Sequence, residues 1–313
     1  MRKKLLIGIP AALVLGVLVV YNFFPGVVLR LAIWAERSSA NLTHKQVQVK
    51  KITYHYLEGG KAGAPTVLMV HGYGGDKDNF TRFAKFITPD YHVISIDLPG
   101  YGESTRLENA DFGIESQVSN LNTFAEAIGL KTFHIIGNSM GGHISASYTL
   151  NYPAKVLSLG LLNAAGVKTP TPSEHAKSIA QGTNKLVVNS RADFDRLMNF
   201  VFVVRPPAPG VIIDFLAERA IKKRPFLEKV YGQIAYSRYN VESRLGEIKA
   251  ATLVLWGDTD RVIDVSGARV FNEKIAGSKL VIMKNCGHVP MIERPEETAS
   301  HYLAFLADKA KKS

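Results

Sequence analysis

The hexapeptide Gly137-Asn138-Ser139-Met140-Gly141-Gly142 constrains the fold more than any other stretch of the chain. It follows an apolar run, Thr132–Ile136, and opens a helix-like stretch, His143–Leu150. A short continuous apolar run reads as a strand buried on both faces. A turn passing straight from such a strand into a helix has no room for side chains beside it, hence Gly137 and Gly141. The central residue is lifted above the sheet edge, and the helix N-terminus offers free backbone N–H groups to an anion. Ser139, at that point, is the candidate nucleophile.

The remaining pattern supplies the sheet. Thr66–Val70, Tyr91–Ile96, Val156–Leu162, Thr252–Trp256 and Lys279–Met283 are further apolar runs. Val47, Val49, Ile52, Tyr54 and Tyr56 nearly alternate, as in one or two strands. Ile114–Ile128, Ala268–Ile275 and Thr298–Leu306 carry apolar residues on one helical face. Strands alternating with helices predict an α/β fold with a mostly parallel sheet flanked by helices. The alternation breaks after Leu162. Residues 168–249 hold helix-like pieces, several prolines and no clear strand, which predicts a helical cap inserted over the C-terminal edge of the sheet. The expected organisation is therefore an anchor and juxtamembrane segment (1–40), the core (41–167), the cap (168–249) and the rest of the core (250–313).

The anchor follows from Arg2, Lys3 and Lys4 preceding an uncharged run from Leu5 to Leu29. At helical rise that length crosses a bilayer core of roughly 30 Å. A cleaved signal peptide would have a shorter apolar core and a small-x-small site after it. The basic residues ahead of the span place the N-terminus in the cytoplasm and the rest of the chain on the far side, the periplasmic face of the inner membrane in a bacterium. Trp34, Arg30 and Arg37 fall where interfacial and snorkelling residues sit. Gly8, Ala12 and Gly16 form a small-residue row that would let two such helices pair as a homodimer. The formal charge of +11 is concentrated in two places, with +4 in residues 1–37 and +6 in residues 168–249. No nucleic-acid signature accompanies it, so an anionic membrane is the expected partner and nucleic acid is not.

A serine hydroxyl needs a base, and the base an orienting carboxylate. His288, in Cys286-Gly287-His288 after the last strand, is the expected base. His71 is read as loop-shaping, His143 as packing or capping, and the other six histidines as surface or strand residues. Asp258 and Asp260 follow the next-to-last strand and are both candidate acids, with Asp264 third. Asp260 is preferred because it lies deeper in the loop. The backbone N–H groups of Tyr73 and Met140 are the expected oxyanion donors. Cys286 is the only cysteine and is read as a buried bystander. No metal constellation or Walker-type loop is found, and no cofactor is implied.

From about residue 46 to 308 the chain resembles the α/β-hydrolase superfamily. The order Ser139, Asp260, His288 matches that family's, and Asp97-Leu98-Pro99-Gly100-Tyr101-Gly102-Glu103-Ser104 is similar to its turn after the fourth strand. Three stretches resemble membrane-anchored monoacylglycerol lipases and bacterial lipases, including anchored phospholipases A. They are His71-Gly72-Tyr73 with Asp76-Lys77-Asp78, then Gly137–Gly142, and then Trp256, Asp260 and Asp264–Gly267 with Asn285–His288 and Glu293-Arg294-Pro295. The resemblance implies a serine ester hydrolase that releases fatty acids from glycerolipids, with Ser139 as nucleophile, Asp260 as acid, His288 as base, and Tyr73 and Met140 as oxyanion donors. It fades in the cap, where Phe194, Leu197, Met198, Phe200, Phe202, Phe215 and Leu216 are expected to shelter the acyl chain or to form cap core. The rival readings are a carbon–carbon bond hydrolase of aromatic ring-cleavage products, which shares the Gly-Asn-Ser-Met-Gly-Gly stretch, and a non-enzymatic lipid-binding module.

Overall fold

The apolar runs become one eight-stranded sheet. A computed structural model describes residue 21, residues 23–235 and residues 240–310. The strands are β1 (Leu42–Val49), β2 (Ile52–Gly60), β3 (Thr66–Val70), β4 (His92–Ile96), β5 (Phe133–Asn138), β6 (Val156–Leu162), β7 (Ala251–Gly257) and β8 (Lys279–Met283). Their spatial order is β1-β2-β4-β3-β5-β6-β7-β8. β1 with β2, and β2 with β4, are antiparallel; every other neighbour pair is parallel. The near-alternating segment is thus two strands, joined at Lys50-Lys51 with Val49 opposite Ile52. In central β3, Val67, Leu68, Met69 and Val70 are fully buried, as residues covered by helices on both faces must be. β8 is not buried in this way. It is the edge strand, and Ile282 is partly exposed.

One face of the sheet packs on α3 (Ile114–Ala127), α4 (Met140–Asn151) and α8 (Ser266–Lys274), around Phe124, Tyr148, Trp256 and Phe271. The other packs on α2 (Thr81–Ile87) and α10 (Pro295–Ala310), where the Phe83 and Tyr302 ring centroids lie 5.8 Å apart. Between β6 and β7 the chain leaves the sheet for α5 (Glu174–Ala180), α6 (Arg191–Val201) and α7 (Gly210–Ala235). These helices carry a small core of their own around Val188, Phe194 and Ala217. On the way back to β7, Val241, Leu245 and Ile248 are buried in the main core. α7 contains Pro225, which removes one backbone donor mid-helix. Its second half is fastened to the core: Phe226 packs edge-on to Tyr101 and Phe112, and Gln233 Oε1 accepts from the Phe112 N–H at 3.0 Å.

Most of the expected membrane span lies outside the described residues, as does the Gly8, Ala12, Gly16 row. Its end forms the start of α1 (Pro25–Ser39), with Pro25 in the first turn, where its missing N–H costs nothing. No helix of the described residues is long and apolar enough to cross a membrane. Arg37 does not reach toward headgroups. Its guanidinium makes a bidentate pair with Asp78, 2.6 and 2.7 Å, and Arg82 holds Glu36, so α1 is clamped to the core.

Candidate active site

The turn from β5 into α4 holds Ser139 at φ 55°, ψ −120°, a backbone conformation that side-chain-bearing residues rarely adopt. The glycines around it are sterically required. A Cβ on Gly137 would lie 2.1 Å from Gly141 O, and one on Gly141 would lie 2.1 Å from Val70 O. With both absent, α4 packs directly on the ends of β3 and β5. Ser139 O then accepts from the N–H groups of Gly142, His143 and Ala165, which fixes the turn.

Of the three candidate acids, Asp260 is the one that faces His288. Its Oδ2 lies 2.8 Å from His288 Nδ1, and its Oδ1 accepts from the N–H groups of Val262 and Ile263. Asp258 instead accepts from the Asn285 N–H and joins the loops after β7 and β8. Asp264 accepts from the Ser266 N–H at the start of α8. Where the carboxylate accepts a hydrogen bond from the Nδ1–H of His288, the ring keeps Nε2 as an acceptor. Asp260 and His288 are both buried, whereas Ser139 is only half-buried. Ser139 and His288 line the same cavity, although among the described residues no hydrogen bond joins the Ser139 hydroxyl to the ring. Such contacts are often long without substrate and tighten when it binds.

Two asparagines belong to this arrangement and carry no signal in residue spacing. Asn138 Nδ2 donates to His288 O (2.9 Å) and Leu162 O, tying the histidine loop to the serine turn. Asn163, just after β6, donates to Asp260 Oδ2 and Gly287 O. Both side chains are buried and could be found only from the folded contacts.

Tyr73 lines the cavity beside Ser139, and among the described residues neither its N–H nor that of Met140 donates to a protein acceptor. His71 shapes this loop as expected. It is fully buried; Leu98 N–H donates to its Nε2 at 3.2 Å, so its proton sits on Nδ1, 2.8 Å from Gly72 O. Burial, above all, holds its pKa below the ordinary value. The Tyr73 hydroxyl donates to Leu227 O of α7 at 2.7 Å. The β4 turn is organised around buried Asp97, which accepts from Lys77 Nζ at 2.8 Å and from the Lys77 and Glu103 N–H groups. Burial opposes the Lys77 charge, yet Asp97 and Glu103 hold its pKa above 10.5.

The cavity has a volume of about 440 Å³. Of the apolar cap residues expected to line it, Phe194, Leu197, Met198, Phe202 and Leu216 do so. Phe200 is instead buried in the cap under Lys185 Nζ, and Phe215 packs against Gly26 of α1. Leu29 and Ile33 of α1 complete the wall. His175 differs from its expected setting. It is neither a strand nor a surface residue but lies buried in α5, with its Nε2 3.1 Å from the Tyr231 hydroxyl and its N–H on Arg261 O. Cys286 is buried, its thiol pushed up to about 12 chiefly by burial, which suits a bystander rather than a nucleophile. His44, His55 and Glu103 come within metal-ligand distance of one another, but Lys77 Nζ already sits 2.5 Å from Glu103 and opposes a second cation.

The family described as the alpha/beta hydrolase fold matches residues 65–295. The chain is an α/β hydrolase. The hydrolase is 30% identical over 312 residues to monoacylglycerol lipase ABHD6 of Bos taurus, spanning 96% of this chain and 93% of that protein. It is 36% identical over 254 residues to Lipase 1 of Psychrobacter immobilis, 80% of this chain and 79% of that one. Among solved structures it is similar to a membrane phospholipase A described as a bacterial virulence factor. The TM-score there is 0.91 at 43% identity, covering 98% of this chain and 99% of that chain.

Proposed function

We propose that the protein is a membrane-anchored serine ester hydrolase that releases fatty acids from glycerolipids. The observation that carries this reading is that His288, held by Asp260, and Ser139 line one largely apolar cavity. His288 Nε2 removes the Ser139 proton as Oγ attacks the ester carbonyl. The oxyanion is received by the Tyr73 and Met140 N–H groups. As the tetrahedral adduct collapses, His288 returns the proton to the leaving glycerol oxygen. Water, deprotonated by the same ring, then releases the fatty acid from Ser139. Asp260 keeps the ring in the tautomer that each step needs.

A membrane setting is supported from three sides. The run Leu5–Leu29 has the length of a bilayer span. Phe23 and Phe24 near its end and Leu31 and Trp34 just after it are exposed, as is Val204 on the loop after α6. Leu29 and Ile33 bring the end of that segment to the cavity wall, so an acyl chain leaving the bilayer meets the site. The segments 1–40, 41–167, 168–249 and 250–313 act in this reading as anchor, core, cap and core. The N-terminus is cytoplasmic, the catalytic domain lies across the membrane, and the Gly8, Ala12, Gly16 row pairs two anchors. The carbon–carbon hydrolase reading has less in its favour, because the relatives above are lipases and a phospholipase.

The test is fatty acid release from monoacylglycerol and phospholipid by detergent-purified protein beside Ser139→Ala. Release by the wild type alone supports the reading. No release from any ester, together with cleavage of a vinylogous diketone, would replace it with the carbon–carbon hydrolase.

A further inference from the structure

The cavity is largely apolar, but α7 also brings cations to its wall. Arg219 and Lys223, four residues apart and so on one helical face, both line it there. Neither makes an ion pair or side-chain hydrogen bond among the described residues, whereas the neighbouring cations are engaged. Arg224 donates to Asn189 Oδ1 and faces Glu228, and Arg37 neutralises Asp78, one of the two acids that line the cavity. The other acid, Asp76, is within electrostatic reach of Lys223 but spends one oxygen on the Asp78 N–H. Lys223 is half-buried, and burial, before any other influence, holds its ammonium below the usual lysine range. Its charge reaches buried His71, the residue that shapes the Gly72-Tyr73 loop beside Ser139, so it lies close to the reacting centre.

A half-buried cation such as Lys223, with no hydrogen-bonded or ion-paired partner among the described residues, costs free energy that a bound anion would offset. Arg219 beside it is exposed. The carboxylate of a released fatty acid forms at Ser139 itself, whereas the pair stands on α7, a different element of the same cavity. A glycerophospholipid carries its anion a few bonds away across the glycerol, which matches a cationic pair lining the same cavity as the serine. We propose that Arg219 and Lys223 bind the phosphate of a glycerophospholipid whose ester carbonyl lies at Ser139. The proposal rests on the ester hydrolase reading and narrows it: the pair makes the enzyme favour phospholipid over uncharged acylglycerol, which leaves both cations unmatched.

The test uses the full chain in micelles of uncharged detergent, with 1-oleoylglycerol and 1-oleoyl-lysophosphatidylglycerol as matched substrates. Arg219→Gln with Lys223→Gln should lower kcat/KM for the lysophospholipid roughly tenfold or more, as for lost hydrogen bonds to a charged group. The value for 1-oleoylglycerol should stay within about twofold, since an uncharged substrate has no group for the pair to hold. Lys223→Arg should retain the preference. Lys222→Gln, an exposed charge on the same helix outside the cavity, should leave it unchanged. An equal loss on both substrates, or an equal effect of Lys222→Gln, overturns the site in favour of structural damage or general surface attraction. Inhibition of 1-oleoylglycerol cleavage by inorganic phosphate, with lysophospholipid cleavage insensitive to the substitutions, would assign the pair to free phosphate and overturn the headgroup. If the wild type cleaves 1-oleoylglycerol but not the lysophospholipid, the proposal fails and the ester hydrolase reading stands. If it cleaves neither, that reading fails first.

Discussion

The side-chain amide of Asn163 lies 2.8 Å from Asp260 Oδ2, the same oxygen that faces His288 Nδ1. The amide also reaches Gly287 O, so one residue on the β6 loop steadies both the acid and the histidine loop. Asn163→Leu removes a hydrogen bond to a charged group, worth about 1.5–3 kcal/mol. The expected result is a ten- to hundredfold drop in kcat/KM on an ester, roughly the same energy expressed as a rate. An unchanged value would mean that Asp260 holds the ring without help.

The two neighbouring acids should separate cleanly. Asp260→Asn leaves the loop shape but offers His288 a donor in place of an acceptor, and kcat should fall by about four orders of magnitude. Asp258→Asn disturbs only the link to the Asn285 N–H and should cost less than about tenfold. Steady-state rates on one chromogenic ester suffice. Equal losses would place the orienting acid elsewhere.

Two glycine substitutions should have opposite signs. In Gly141→Ala the new Cβ would sit 2.1 Å from Val70 O, a backbone atom that cannot step aside, so the loss should be at least about 3 kcal/mol. Gly232→Ala on α7 meets no neighbour within 4 Å and should gain about 0.5–1 kcal/mol from helix propensity. Urea unfolding midpoints measure both. A native midpoint for Gly141→Ala would show that the turn has slack.

Acid sensitivity should trace to buried histidines. His143 and His175 are pushed down from 6.5 to about 4, in both cases chiefly by burial. The unfolded chain therefore takes up protons below pH 6.5 that the folded chain refuses until about pH 4. Their stabilising contribution is complete above pH 6.5 and is lost as pH falls toward 4, by up to about 3 kcal/mol for His143. His143→Gln should flatten the fall in stability between pH 7 and pH 4.5. Parallel curves for wild type and variant would remove His143 from this account.

What the sequence discloses depends on whether the cause of a structure is local. β3 and β6 fall on the residues where continuous apolar runs predict them, because near-complete burial leaves a run rather than an alternation. The β5 turn is legible because its glycines are demanded by neighbours a few residues away. Asn138, Asn163 and the Lys77–Asp97 pair are illegible for the opposite reason. Their partners are brought to them by the sheet order, and a polar residue looks the same in sequence whether it is solvated or buried. His175 was misplaced on the same grounds, since only the packing of α5 beneath α7 removes it from water. The exposure of β8 follows from its place at the edge, which strand spacing does not encode.

Tyr73 is shared by two structures that would otherwise move independently. Its main chain belongs to the loop beside Ser139, and its hydroxyl is bolted to Leu227 of the cap helix. The cap cannot swing as a free hinge, because any displacement of α7 pulls on the residue proposed to receive the oxyanion. Admission of a substrate and readiness for chemistry are thereby geared together through one phenol ring. The access route cannot widen at that helix without also detuning the catalyst.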